Sequence, residues 1–106
     1  MPLYLCQFTY TPEAWRAFVK NPEDRGQQAT ALIEQLGARP IGFYQCFGEY
    51  DGVALFQSPD DTTAGAIAIA MFAPGSLRAM KTTKLFTMGE SMEMPRKAGS
   101  GTVCGD

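Results

Sequence analysis

Residues 41–57, IGFYQCFGEYDGVALFQ, place a polar segment containing two glycines between two apolar runs that have the composition of β-strands. We predict two strands, Arg39–Phe47 and Tyr50–Gln57. They are joined by a type II′ turn at Gly48-Glu49, because glycine suits the first central position of that turn. The tip of this antiparallel hairpin, Gly48–Gly52, is the densest cluster of reactive side chains in the chain.

The chain before the hairpin predicts a strand followed by a helix. Tyr4–Thr9 is rich in β-formers and runs into Thr11-Pro12, where threonine can cap a helix and proline can occupy its first position. We expect the helix to break at Asn21-Pro22, with Asn21 capping a second segment. Gly37 then ends that segment and lets the chain reverse.

The chain after the hairpin predicts another helix and a last strand. The helix ends at Ala73-Pro74-Gly75, and the strand lies within Leu77–Met88. The order is therefore β-α-β-β-α-β. This order predicts an α+β fold of the ferredoxin-like type, with a four-stranded antiparallel sheet and both helices on one of its faces.

The carboxyl-terminal segment predicts little further structure. A short helix around Met92 and Met94 should stop at Pro95, since proline removes a helical hydrogen bond. The stretch that follows is rich in glycine. We therefore assign residues 1–97 to one domain and residues 98–106 to a flexible tail.

Both faces of the predicted sheet are apolar. The first strand sets Leu3 and Leu5 against Cys6 and Phe8, and the later strands repeat this pattern. Because the helices cover one face, the other would expose more apolar area than monomers usually do. We predict a homodimer in which two sheets pack face to face as a dimeric α/β barrel. The sequence leaves open whether such dimers assemble into higher oligomers. The alternative is that the terminal segment covers the face, for which it is too short.

Composition excludes several classes of function. Nine basic residues against eleven acidic ones give a net charge of −2, without the basic footprint of nucleic-acid-binding proteins. Arg16, Arg25, Arg39 and Arg78 are scattered and form no phosphate-binding pattern. We find no signal peptide and no apolar run near the roughly 20 residues of a membrane helix. The chain is expected to be a soluble cytoplasmic protein with no nucleic-acid or membrane partner.

The sequence predicts neither a metal nor a cofactor. It has no histidine, and its three cysteines are too widely spaced for a metal site. Cys6 and Cys46 fall within predicted strands, where we expect them to be small buried side chains. Cys104 lies in the predicted tail.

The hairpin supplies the candidate catalytic residues, Glu49, Tyr50 and Asp51. Positions two apart in an extended chain point to the same side, so the two carboxylates could share a proton or act as acid and base. Solvated turn residues are the alternative interpretation. Lys81 and Lys84 have opposite strand parity, so at most one of them could face a pocket and neutralise an acidic ligand.

A ligand-binding cleft between sheet and helices is predicted around three tyrosines. Tyr4, Tyr44 and Tyr50 share residue parity, which allows one common face if no bulge intervenes. With Gly48 and Asp51 they form the candidate ligand-binding set, since aromatic walls with a few polar groups suit an organic ligand. Packing of these aromatics in a core or dimer interface is the alternative.

Several segments together resemble the GYD domain family, with a match over about residues 1–97. The segments are Met1–Phe8, Asn21-Pro22-Glu23-Asp24-Arg25, Gly42-Phe43-Tyr44, Gly48-Glu49-Tyr50-Asp51 and Lys81-Thr82-Thr83-Lys84. The resemblance implies a ferredoxin-like dimeric α/β barrel of bacterial type rather than a defined activity. The motif that gives the family its name corresponds here to Gly48, Tyr50 and Asp51.

Three functions remain open from the sequence. The first is a homodimeric binder of a small organic metabolite in a pocket between sheet and helices. The second is a cofactor-independent isomerase or oxygenase of the dimeric α/β-barrel type, although several such enzymes use a pocket histidine and this chain has none. The third is a structural or regulatory assembly module.

Overall fold

The structure is a computed structural model and describes residues 1–101. It contains four strands and four helices in the order β1-α1-α2-β2-β3-α3-β4-α4. The strands are β1 (Leu3–Tyr10), β2 (Arg39–Gln45), β3 (Gly52–Gln57) and β4 (Leu77–Leu85), and the helices are α1 (Pro12–Lys20), α2 (Arg25–Gln35), α3 (Asp61–Phe72) and α4 (Met88–Ser100).

The strands form one antiparallel sheet in the order β2-β3-β1-β4. Strand β1 pairs with β3 on one side and with β4 on the other. In this register Cys6 of β1 is paired with Ala54 of β3 and with Thr82 of β4. This is the predicted α+β, ferredoxin-like arrangement, with α1 to α3 on one face of the sheet.

The core lies between that face and the helices. Alternate residues of β1 and β3 point into it, as the sequence pattern predicts, and they are almost completely buried. The sheet contributes Tyr4, Cys6, Phe8, Ala54 and Phe56, and the helices contribute Ala29, Ile33, Ala64 and Ile67.

The opposite face of the sheet, here called the open face, carries the other set of residues. Leu3, Leu5, Val53 and Leu55 lie there and are half-buried. Helix α4 has no buried residue, so it does not cover this face. Within residues 1–101 the open face therefore presents an apolar surface, which agrees with the two-sided pattern in the sequence.

The break between α1 and α2 is confirmed, but its cap is not the predicted one. Thr11 caps α1 with Pro12 at its first position, and α1 ends at Asn21. Asp24, rather than Asn21, caps α2 by accepting hydrogen bonds from the Gly26 and Gln27 backbone N–H groups. Asp24 directly precedes α2, the position from which a short carboxylate reaches the free N–H groups of the first turn.

The predicted type II′ turn is wrong. The strands separate after the pair formed by Gln45 and Gly52, and residues 46–51 form a longer loop that the Cys46 N–H closes onto the Asp51 carbonyl at 2.8 Å. The loop is longer than predicted because one of its residues contacts a strand that is distant in the sequence. Asp51 turns onto β1, where its N–H donates to the Phe8 carbonyl at 2.9 Å. Gly48 lies inside the loop with φ of 142°, a conformation that side chains rarely adopt.

The prediction that Pro95 ends the last helix is also wrong. Helix α4 continues through Pro95 to Ser100, beginning at a capping box in which Thr87 and Glu90 exchange two hydrogen bonds. The tail predicted from residue 98 thus begins within this helix. Its residues 102–106, including Cys104, lie outside the described residues.

Residues 1–101 contain neither a candidate membrane-spanning helix nor a candidate metal-binding cluster. No helix there is long and apolar enough to cross a membrane. No three side chains of the His, Cys, Asp or Glu type come together in this part of the chain as a metal site would require.

Candidate functional site

A cleft between the sheet and the first two helices is the best candidate site. It consists of an inner cavity of about 310 Å³ that reaches α3 and an outer cavity of about 410 Å³ beside α1. The two cavities share Tyr10, Arg25 and Phe43, and we call them together the Tyr10–Arg25 cleft. Volumes of this size are in the range of small-molecule sites.

Aromatic side chains build the wall of the cleft. Tyr10 is at the end of β1 and packs edge to face against Trp15 and Phe18 of α1, with ring centroids 5.3 and 4.9 Å away. Phe8 and Phe43 continue the wall from the sheet, their centroids 5.5 Å apart. Such rings supply apolar contact area with little conformational freedom to lose.

Arg25 is the positive group of the cleft. It is the first residue of α2, and the break at Pro22 places its guanidinium carbon 4.7 Å from the centre of the Phe18 ring. Its side chain is 29% exposed, and its contact with Glu23 is a long one of 3.9 Å. Glu23 also accepts a 3.0 Å hydrogen bond from Gln28. The guanidinium thus keeps donors available toward the cleft.

Tyr10 supplies a neutral donor beside this cation. Burial raises the pKa of the Tyr10 hydroxyl, while the nearby charge of Arg25 opposes the shift. The phenol therefore stays protonated at neutral pH. The backbone N–H of Tyr10 donates to the Asp51 carboxylate at 2.9 Å, which fixes the irregular end of β1 under the cleft.

Tyr4 lies elsewhere in the molecule. It is 3% exposed in the core, and its hydroxyl donates to the Asp61 carboxylate at the start of α3. Lys84 donates to the same carboxylate oxygen at 3.0 Å. The hydrogen bond with Asp61 and burial raise the pKa of Tyr4 to about 12. Lys84 is thus the lysine on the helix-covered side, paired with Asp61 rather than with Glu49 or Asp51.

We expect Tyr4→Phe to destabilise the protein at neutral pH and to matter less in acid. Two hydrogen bonds hold the pKa of Asp61 below its ordinary value of 3.8. The one from Tyr4 has the larger effect and the one from Lys84 the smaller. A lowered carboxyl pKa stabilises the fold above the ordinary value and loses this contribution as pH falls through the lowered one. Urea unfolding from pH 7 to pH 2.5 measures the difference from wild type.

The control for this prediction is Tyr44→Phe. Tyr44 is 64% exposed on the open face, where no described carboxylate accepts a hydrogen bond from its hydroxyl, so any effect of Tyr44→Phe on the free energy of unfolding should be the same at every pH. A Tyr4→Phe penalty that is the same at pH 7 and pH 2.5 would contradict the coupling to Asp61.

The three candidate tyrosines do not share a face. Tyr44 pairs with Val53 and lies on the open face, whereas Tyr4 pairs with Phe56 on the helix-covered face. Tyr50 is half-buried in the loop, where its carbonyl accepts a 3.2 Å contact from the Cys46 thiol. The common face was predicted only for strands without a bulge, and the bulge between Pro40 and Gly42 turns Tyr44 to the open face.

The residues of the predicted hairpin tip differ in exposure. Glu49 and Gly48 are exposed, while Asp51 is half-buried and engages the end of β1. The two carboxylates do not form an equivalent pair. None of Tyr4, Tyr44, Gly48, Tyr50 or Asp51 lines the Tyr10–Arg25 cleft, so their contact with a ligand stays a prediction.

The predicted structural role of the cysteines holds for Cys6. It is fully buried, and burial raises the pKa of its thiol, which keeps it protonated. Cys46 is half-buried rather than buried.

The residues that sequence reasoning missed are those of the cleft itself. Two signals were present: aromatic residues at positions 10, 15 and 18, and an arginine directly after the helix break. Arg25 looks like one of several scattered arginines until the fold places it over Phe18.

Fold and cleft together define a small ferredoxin-like α+β protein with an aromatic cleft between its sheet and helices, lined by one cation, Arg25, and by the acidic residues Glu23 and Asp24 at its α1 end. Comparison with known proteins gives the family. The model of the GYD domain matches residues 4–94, and the chain belongs to the GYD domain family.

Individual relatives are more distant. The chain is 28% identical over 80 residues to the "Glutamine synthetase and cystathionine beta-lyase binding protein" of Thermus thermophilus, covering 76% of this chain and 84% of that protein. Among solved structures, TTHA0845 from Thermus thermophilus superposes with a TM-score of 0.55 at 17% identity, over 82% of this chain and 95% of the other.

MtbAldR superposes with a TM-score of 0.59 at 12% identity over 81% of this chain. The chain spans only about half of its length, 53%. At such identities the two solved structures show the fold alone.

Proposed function

We propose that the protein is a homodimer that binds a small organic carboxylate in the Tyr10–Arg25 cleft. The ligand's carboxylate lies against the Arg25 guanidinium and the Tyr10 hydroxyl, and its apolar part packs against Phe43 and the aromatic wall. A guanidinium presents paired donors that match the two oxygens of a carboxylate.

The observation that carries the proposal is the environment of Arg25. Its side chain is mostly buried beside aromatic rings, yet its nearest carboxylate is 3.9 Å away and bound to Gln28. A buried charge is costly unless it is paired. A bound anion would supply a closer partner than Glu23.

A panel of acids with matched amides tests the proposal. Phenylacetate, benzoate and short aliphatic carboxylates are each compared with the corresponding amide by thermal shift and titration calorimetry. Acids should raise the melting temperature, because a ligand at about 100 times its Kd adds about 2.7 kcal/mol of stability. The matched amides carry no negative charge for Arg25 to bind and should not raise it.

We expect Arg25→Gln to weaken carboxylate binding about 10- to 100-fold. A hydrogen bond to a charged group contributes about 1.5–3 kcal/mol, which corresponds to that range. Arg25→Lys should recover only part of the affinity, since lysine lacks the planar pair of donors. Calorimetric titration with the best acid of the panel measures both variants.

Arg16→Gln is the matched control, because Arg16 lies on α1 with a side chain that is 73% exposed and outside the cleft. Equal binding by wild type and Arg25→Gln would overturn the proposed site. The absence of any binder among the acids would overturn the proposed function.

The homodimer is proposed on the apolar open face. Leu5 and Leu55 lie opposite each other on the two central strands, and both stay half-buried without a covering layer in residues 1–101. A second copy of the sheet would supply that layer in a symmetric contact.

Binding of other proteins is a second candidate function, favoured by the name of the Thermus thermophilus relative, which is described as binding two enzymes. The same name suggests which partners to try first. Size-exclusion chromatography of this protein with a purified glutamine synthetase, and separately with a cystathionine beta-lyase, tests it. Co-elution with neither enzyme would leave this candidate without support.

A further inference from the structure

Charged residues are distributed unevenly between the two cavities of the cleft. Apart from Arg25, the described residues that line the inner cavity are uncharged and mostly apolar, Leu32 and Met71 among them. The outer cavity adds two carboxylates, those of Glu23 and Asp24. Arg25 lines both cavities and therefore lies at the junction between an apolar compartment and an acidic one.

Glu23 presents one carboxylate oxygen to this junction. Its Oε2 accepts a 3.0 Å hydrogen bond from the Gln28 amide, while its Oε1 lies 3.9 Å from Nη1 of Arg25. A distance of 3.9 Å is longer than a hydrogen bond, which measures about 2.7–3.2 Å between nitrogen and oxygen. A ligand at the junction therefore meets a positive and a negative group, each with hydrogen-bonding capacity left to use.

Asp24 is already engaged in the fold. Its Oδ1 accepts hydrogen bonds from the backbone N–H groups of Gly26 and Gln27 at 2.9 and 3.4 Å, and so caps α2. Its negative charge still adds to that of Glu23 at the outer cavity. Of the two carboxylates, the one of Glu23 is thus the better placed for contact with a ligand.

A ligand that carries only a carboxylate does not balance these charges. When it binds Arg25, its carboxylate lies close to that of Glu23, and like charges a few ångströms apart repel each other. An ammonium group on the same ligand would offset this repulsion by pairing with Glu23. In an α-amino acid the carboxylate and the ammonium group are attached to one carbon atom, so the two groups can contact opposite charges that are as close as Arg25 and Glu23.

The inner cavity indicates the side chain of such a ligand. It has a volume of about 310 Å³ and is lined by Phe8, Leu32, Phe43 and Met71 together with other mostly apolar residues. An apolar cavity of about 150 Å³ is large enough to hold benzene. The inner cavity therefore has room for an aromatic or branched aliphatic side chain, which it would remove from water.

We infer that the ligand is an apolar α-amino acid bound as a zwitterion. Its carboxylate contacts Arg25 and Tyr10, its ammonium group contacts Oε1 of Glu23, and its side chain fills the inner cavity. This inference rests on the proposed function, which it narrows to one class of carboxylate. Gln28 is a positioning residue, because its hydrogen bond leaves Oε1 as the oxygen of Glu23 nearest Arg25.

Matched pairs of ligands test the inference by titration calorimetry. L-Phenylalanine is compared with 3-phenylpropanoate, and L-leucine with 4-methylpentanoate, since each acid is the amino acid without its amino group. The better amino acid should bind about tenfold more tightly than its matched acid. This factor is the lower end of what a hydrogen bond to a charged group contributes, because the Glu23 side chain is 44% exposed. Glycine, which has no side chain for the inner cavity, should bind at least about tenfold more weakly than that amino acid.

Glu23→Gln separates the ammonium contact from the carboxylate contact. It should abolish the preference for the amino acid and should tighten binding of the matched acid, because the repelling charge is gone. Glu23→Asp keeps the charge and should keep part of the preference. Glu13→Gln is the matched control, since Glu13 is 76% exposed on α1 and outside the cleft.

Several results would overturn this inference while the proposed function stands. They are binding of the matched acids as tight as that of the amino acids, a preference that survives unchanged in Glu23→Gln, and binding of other carboxylates when neither L-phenylalanine nor L-leucine binds. Glycine binding as tightly as the larger amino acids would overturn the place of the side chain in the inner cavity. If no carboxylate of any kind binds, the proposed function fails and this inference fails with it.

Discussion

Gly52→Ala is expected to destabilise the protein by about 1–3 kcal/mol, the usual cost of overpacking a core. A Cβ atom at position 52 would lie 2.5 and 2.6 Å from two ring carbons of Phe8. That ring is 2% exposed and packs between Tyr10 and Phe43, so moving it away from the new Cβ would disturb both aromatic contacts. Urea unfolding at neutral pH measures the loss.

Two other glycines provide controls for this prediction. Gly42→Ala also meets a ring, with the Tyr44 edge 2.7 Å from the new Cβ, but Tyr44 is 64% exposed and can turn away. Its cost should be small. Gly65→Ala adds a methyl group into open space on α3 and should stabilise the protein by up to about 1 kcal/mol through helix propensity.

A rescue by Phe8→Leu makes the test specific. The smaller side chain should restore part of the stability of Gly52→Ala, giving a coupling energy in a double-mutant cycle. If Gly52→Ala unfolds within about 0.5 kcal/mol of wild type, the range of an ordinary surface change, the tight contact between β1 and β3 is contradicted.

The fold could be predicted because its signals are local. Alternation of Leu3 and Leu5 with Cys6 and Phe8 gives the two faces of β1, and Asn21-Pro22 breaks the first helical region at the place where the structure separates α1 from α2. Each of these depends on residues that are neighbours in the sequence.

The hairpin loop could not be predicted in the same way. The decisive contacts of Asp51 are with Phe8 and Tyr10, more than 40 residues earlier in the chain. Local turn preference favours a tight turn at Gly48-Glu49. The two hydrogen bonds to β1 instead hold the end of the loop against the sheet.

The common face of the tyrosines was missed for a related reason, a bulge in β2 that the local sequence does not reveal. Pro40 pairs with Phe56 but Gly42 pairs with Leu55, so beyond the bulge an even-numbered residue of β2 such as Tyr44 shares a face with odd-numbered residues of β3. Tyr4 pairs with the even-numbered Phe56. The place of Arg25 in the site could not be predicted either, because it depends on the distance to Phe18 rather than on the position of Arg25 in the sequence.

Leu55→Lys is expected to abolish the proposed homodimer while leaving the subunit folded. Leu55 lies on the open face of a central strand, opposite Leu5. Two sheets packed there would bury the lysine without a partner, and an uncompensated buried charge costs about 3–5 kcal/mol. By symmetry each dimer contains the change twice, so the Kd should rise more than about 100-fold.

Sedimentation velocity at low micromolar concentration measures this effect. Leu55→Lys should sediment near the 11.5 kDa of one chain, and the parent near twice that mass. Val19→Lys is the matched control, because Val19 is exposed on α1, on the helix-covered side of the sheet and not on the open face. Circular dichroism should be the same for all three, since Leu55 is only half-buried within one subunit and its removal takes no residue from the core. A parent that is already monomeric would show that water alone covers the open face, and the proposed pairing of sheets would then be wrong.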